Sequence, residues 1–208
     1  MDMGSGVGTE GALIDVTPPL RNGMATYPGN PPFSIREVRS VAEGAHSTLS
    51  EVTMGTHSGL HVDAPAHFIA GAPGLEASGL ASLVGPARVI SIQAESAISV
   101  EELETHGIVE GERVLLKTRN SKLWQQQDFV ADYVHLSTEA ARYLAGLRPA
   151  CLGVDYLSVG GHKSNGTEVH EALLGAGIVL IEGLDLSNAE PGLYDLVCLP
   201  LRLEQAEG

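Results

Sequence analysis

Apolar and polar positions alternate, or run together briefly, in ALIDVT (12–17), FSIREVR (33–39), ARVISI (87–92), RVLLKT (113–118) and LYDLVCL (193–199). Segments of this length and side-chain type predict strands. The apolar run IVLI (178–181), which Glu182 interrupts, reads as a buried strand. Helical periodicity is rarer. SVEELETHG (99–107) begins with a capping-box pattern at Ser99 and Glu102, and STEAARYLAGL (137–147) offers Ser137 or Thr138 as a cap with Glu139 in the first turn. EVHEALLGA (168–176) is a third amphipathic stretch, with Gly175 and Gly177 as stop signals. These elements predict a mixed α/β domain without a heptad, an internal repeat or a phosphate-cradling glycine loop. No linker divides residues 12–208, which we read as one domain after a flexible glycine-rich tail over residues 1–11.

Composition narrows the class. A chain of 208 residues with 43% hydrophobic content can bury a sizeable core. The balance of 12 basic against 26 acidic residues, −14 overall, argues against nonspecific binding to nucleic acid or an anionic membrane. The start lacks both a basic region and an apolar signal core, and no apolar run approaches the roughly 20 residues that span a bilayer. Cys151 and Cys198 lie in apolar segments and read as reduced, packed thiols, so the expected setting is cytoplasmic.

The densest chemistry is HSGLHVDAPAH, from His57 to His67. Its three histidines and one aspartate at 57, 61, 63 and 67 share odd parity, so an extended backbone would aim all four candidate ligands to one side, with Gly59 leaving space between. A helix would separate them, and Gly59, Val62 and Pro65 disfavour one. We therefore expect a strand running into a Pro65 turn. Imidazole and carboxylate ligands without thiolate suit zinc, manganese or iron. The helical zinc-protease motif is excluded, because Ser58 stands where that motif requires Glu. Glu182 adds a carboxylate that is costly in an apolar strand unless paired or metal-bound, although a strand end pointing to solvent would serve as well. Asp155 interrupts LGVDYLSV in the same way, and either a ligand-supporting or a structural role fits it. His162 lies in a polar loop, GGHKSNGTE, that could border a site, whereas His106 reads as a helix-end histidine. His46 and His135 lack a neighbouring constellation. Tyr27 is the clearest aromatic for a substrate, Trp124 being the only tryptophan.

HSGLHVDAPAHF resembles the HxGxHxDxPxHF signature of the cyclase family of metal-dependent hydrolases, which includes kynurenine formamidases and isatin hydrolases. The similarity runs in order from Leu13 to Leu203: YPG at Tyr27–Gly29, KTRNS at Lys117–Ser121, GVDYLSV at Gly153–Val159, HEALLGAGIVLIEGLDL from His170, and YDLVCLPL near the end. The resemblance implies a swivelling β/β/α architecture and two divalent metals per chain, zinc before manganese. By the same resemblance His57, His61 and Asp63 hold one metal, Asp63 also reaches a second, and His170 and Glu182 complete that second site, Glu182 bridging as well. His67 becomes the catalytic proton donor and acceptor, Tyr27 borders the substrate, and the protein forms a homodimer or homotetramer. Two departures stand out. Leu60 occupies a commonly small position, and the sequence stops at LEQAEG where family members continue into another strand.

The leading expectation is an amide hydrolase that uses metal-activated water on an aryl formamide of the N-formylkynurenine kind. Opening of a cyclic amide or lactone, as by isatin hydrolase, is the alternative within enzymes. A non-catalytic metal-binding or interaction protein is the alternative outside them, disfavoured because a structural metal needs no spare acid or base such as His67. No GxSxG elbow recommends a serine hydrolase.

Overall fold

A computed structural model describes residues 12–77 and 79–208. The tail expected over residues 1–11 lies outside them.

Six strands form the main sheet, in the spatial order β10 (Gly192–Val197), β4 (Val84–Ser91), β6 (Arg113–Lys117), β8 (Cys151–Val154), β9 (Val179–Glu182) and β3 (His61–Asp63). The four inner strands run parallel, and β10 and β3 close the two edges antiparallel. Helices α2 (Thr138–Leu147) and α3 (Gly166–Gly175) belong to one side. Two small ladders complete the fold: β1 (Ser34–Arg39) with β2 (Leu49–Thr53), and β5 (Ala97–Ile98) with β7 (His135–Leu136), the latter beside the short helix α1 (Val100–Glu104). This is the mixed α/β, single-domain arrangement that the sequence predicts.

Residues on the inner strands alternate between two apolar clusters, as a period of two requires. Ile90, Leu116, Leu152 and Leu180 meet Leu144 and Leu173 of the helices, whereas Val89, Leu115, Cys151 and Ile181 face Leu184 and Leu196. Burial on both faces explains why β8 and β9 read as continuous apolar runs. Gly153 is required by this packing, since a Cβ there would lie 2.4 Å from Leu115 Cδ2 and 2.6 Å from Leu184 Cδ1.

Asp155, just beyond β8, is fully buried and accepts four hydrogen bonds: from Thr118 N (2.8 Å), Thr118 Oγ1 (2.8 Å), Ser121 N (3.1 Å) and Ser121 Oγ (2.8 Å). The carboxylate thereby fastens the 3-10 helix Arg119–Gln125 to the end of β8. Of its two possible roles, this geometry is the structural one.

Some expectations require correction. ALIDVT contains no strand; Val16 O accepts a hydrogen bond from Asp185 N, and Pro18 and Pro19 then deny the segment ladder donors. SVEELETHG yields a helix of only five residues, ended before Gly107, although Ser99 does cap it. FSIREVR forms β1 as expected, but its partner β2 was not anticipated, because every residue of β2 is exposed and no buried face imposes a pattern.

Asp155→Ala should leave the amides of Thr118 and Ser121 without their acceptor and destabilise the protein by about 3 kcal/mol. Urea unfolding checks this: the midpoint should fall while the m-value holds.

Candidate metal centre

The stretch from His57 to His67 is not one strand. Only His61–Asp63 is extended, which places His61 and Asp63 on one side and Val62 in the core on the other. His57 precedes it in a turn, and His67 follows on the 3-10 turn Pro65–His67, so the period-two expectation holds for two of the four residues. Gly59 adopts φ +65°, and a Cβ there would lie 2.5 Å from Leu20 Cδ2. Gly183, at φ +85°, permits a closer approach, because its Cβ would stand 2.1 Å from Gly59 O. This crossing, together with the pairing of His61 opposite Glu182, brings the two ligand-bearing strands together.

Five side chains converge there. His57 Nδ1 is 3.0 Å and His61 Nε2 3.4 Å from Asp63 Oδ1, while His170 Nε2 is 3.6 Å from Asp63 Oδ2 and 3.1 Å from Glu182 Oε1. His61 Nε2 also lies 3.6 Å from Glu182 Oε2. Two groups could each hold a metal ion, His57–His61–Asp63 and Asp63–His170–Glu182, with the donor atoms of each within 4.8 Å of one another. Asp63 is common to both, as a bridging carboxylate would be. His61 Nε2 and Asp63 Oδ2 are buried without a hydrogen-bond partner, and orphaned polar atoms among five candidate nitrogen and oxygen ligands fit a divalent cation. Backbone carbonyls orient two of the rings: Gly59 O lies 3.0 Å from His61 Nδ1, and Gly166 O 2.6 Å from His170 Nδ1. With the proton held on Nδ1, Nε2 faces inward as a lone-pair donor. Val159 N donates to Glu182 Oε1 at 2.6 Å.

The electrostatics follow from burial among opposite charges. Burial alone would lower His61, but its hydrogen bonds and charge contacts with Asp63 and Glu182 carry it up to about 10. His170 is also raised, burial being outweighed by Glu182 and Asp63. Asp63 is held well below the carboxylate range by His57 and His61 despite its burial. Burial and the Asp63 charge press Glu182 toward protonation, and hydrogen bonds from His170 and His61 hold it down. In the metal-free protein, protons therefore supply the positive charge that the carboxylates require.

His67 stands apart from the ligand set. Its ring stacks on His57 at 3.8 Å and borders a cavity of about 540 Å³, and burial against its neighbours lowers its pKa. Phe68 stacks on His170 at 4.1 Å. Tyr27 lines the same cavity, carried by a turn closed from Asn30 N to Tyr27 O with Gly29 at φ +99°. Its hydroxyl lies 3.2 Å from His162 Nδ1, so the polar loop around His162 does border the site. Lys163, Ser164 and Thr167 of that loop line the cavity wall, whereas sequence reasoning missed Asn30 and the aromatic group of Phe129, Tyr133 and Tyr156 behind Tyr27. These residues lie far apart in the sequence and share no motif. The φ of +53° at Lys163 was equally unreadable.

The chain as a whole resembles known proteins. The model of the family described as "Putative cyclase" matches residues 14–160. The chain is 33% identical over 195 residues to kynurenine formamidase of Bacillus cytotoxicus, covering 94% of this chain and 92% of that protein. A structure from Bacillus stearothermophilus, described as a predicted metal-dependent hydrolase, superposes with a TM-score of 0.80 at 31% identity, covering 93% of this chain and 92% of that one. Isatin hydrolase A of Labrenzia aggregata shares the fold, with a TM-score of 0.78 at 21% identity over 93% of this chain and 89% of that one.

Metal uptake at neutral pH should release protons, because His61 and His170 are raised and must be neutral to ligate. Titration calorimetry in buffers of different ionisation enthalpy measures that release. Asp63→Ala should abolish stoichiometric uptake, read by elemental analysis after reconstitution.

Proposed function

The chain belongs to the cyclase family of metal-dependent hydrolases, and from that premise we propose that it hydrolyses an amide, specifically an aryl formamide of the N-formylkynurenine kind. The observation that carries this reading is the position of His67, which touches the ligand His57 and faces the cavity but belongs to neither ligand group. A purely structural metal site would close its shell and leave no acid or base beside it.

Two divalent metals, zinc in preference to manganese, are the ions we assign to His57, His61, Asp63, His170 and Glu182. When bound they supply Lewis acidity, which makes water nucleophilic near neutral pH and polarises a carbonyl. The chain's own residues do the rest. His67, kept neutral at pH 7 by its lowered pKa, accepts the proton of the attacking water at a ring nitrogen and delivers it to the departing amine nitrogen. Tyr27, braced edge-on by Phe129 at 5.4 Å, offers an aromatic face to the organic part of the substrate.

For assembly we propose a homodimer or homotetramer. Support comes from β1 and β2, which expose Ile35, Val38, Leu49 and Val52. No helix among the described residues is long and apolar enough to cross a membrane. A cytoplasmic setting is supported by free buried thiols, Cys151 pushed up to about 12 and Cys198 to about 11 by burial.

The deciding experiment is a hydrolysis screen of metal-reconstituted protein against N-formylkynurenine, isatin and simple lactones. Turnover of the cyclic substrates alone would replace the formamidase reading, and full metal loading without turnover would favour a binding protein. His67→Ala should retain its metals yet lose about 10²–10⁴-fold in kcat, a defect that shrinks for a substrate whose leaving group needs no proton. Tyr27→Ala should raise KM several-fold at unchanged metal content, through loss of stacking worth about 0.5–1.5 kcal/mol beyond area burial. Steady-state kinetics with elemental analysis separates the two.

A further inference from the structure

We propose that Glu207 is a positioning residue for His57, accepting the proton on its outer nitrogen, Nε2, and thereby presenting Nδ1 to the metal. The inference rests on the metal-site reading above.

Three imidazoles converge on the carboxylates, and two have their outer nitrogen anchored by a carbonyl, Gly59 O for His61 and Gly166 O for His170. His57 is turned the other way. Its Nδ1 faces inward, 3.0 Å from Asp63 Oδ1, and its outer Nε2 is buried without a partner. An unmet buried N–H is costly, and a ligating imidazole generally gives its second N–H to a carboxylate, carbonyl or water.

The group within reach is Glu207, whose Oε1 lies 3.9 Å from His57 Nε2. That oxygen accepts from Thr56 Oγ1 at 2.8 Å, so the residue preceding His57 holds the carboxylate. The backbone is pinned as well: Glu207 O accepts from Ala64 N at 2.8 Å, and Ala206 O from Leu75 N at 2.9 Å. The next residue lies close beside the ring and leaves no room for a side chain, since a Cβ on Gly208 would lie 2.5 Å from His57 Cε1. His57 is thus gripped between the His67 ring and this segment. The Glu207 side chain is 45% exposed, and the assignment requires its carboxylate to turn far enough that 3.9 Å becomes a hydrogen bond. A carboxylate in this position fixes the tautomer and the ring orientation.

Glu207→Ala and Glu207→Gln test the assignment in the full chain, with zinc affinity measured by chelator competition and metal-free stability by urea unfolding. Glu207→Ala should lose about 10–100-fold in zinc affinity at an unchanged metal-free midpoint, with Glu207→Gln between it and wild type because an amide oxygen still accepts. In the zinc-loaded wild type, ¹⁵N NMR should place the His57 proton on Nε2. Affinity in Glu207→Ala within about threefold of wild type, or a loss that tracks a fall in metal-free stability, would overturn the proposal alone. A wild-type chain that takes up no metal would overturn it together with the hydrolase reading.

Discussion

Asp63 and Glu182 lie 1% and 3% exposed, facing the same two imidazoles, His61 and His170. Two carboxylates so placed cannot both stay ionised unless positive charge faces them, because neither burial nor mutual repulsion tolerates the pair alone. The surrounding structure is organised by that demand. Either protons on His61 and His170 or metal cations can meet it, and the two compete for the same lone pairs. The site therefore stays compact when metal-free, and the exchange of protons for metal links its occupancy to pH.

Holding the carboxylates together is a backbone problem. β9 ends in Glu182 at the carboxyl edge of the parallel strands, where open α/β sheets generally place their sites. β3 then lies antiparallel beside it so that His61 faces Glu182, and the chain can reverse closely enough only because Gly59 and Gly183 lack a Cβ. Asp155 serves the same end from further back, fixing the Thr118–Ser121 turn against β8.

Much of this was legible in the sequence because most of the candidate site residues are clustered. His57, His61, Asp63 and His67 occupy eleven consecutive positions, and Glu182 breaks an apolar run that is buried on both faces. What the sequence hid was geometry set by distant contacts. Parity implied a strand from His57 into the expected Pro65 turn, but Gly59 at φ +65° helps confine extension to the three residues His61–Asp63. Strand β2 carries no buried face and therefore gave no period to read, although its partner β1 did. Asn30 and Glu207 reach the site through loops whose course depends on tertiary packing, and no local spacing encodes that.

The edge pairing of β3 with β9 also orders events during synthesis. β3 emerges from the ribosome early, yet its sheet neighbour lies more than a hundred residues downstream, between His61–Asp63 and Val179–Glu182. Until β9 follows, a nascent chain carries His57, His61 and Asp63 without Glu182, and closing so long a loop is among the slower steps of folding. Completion of the candidate metal site is thus a late event in the life of the chain, deferred until the sheet is complete.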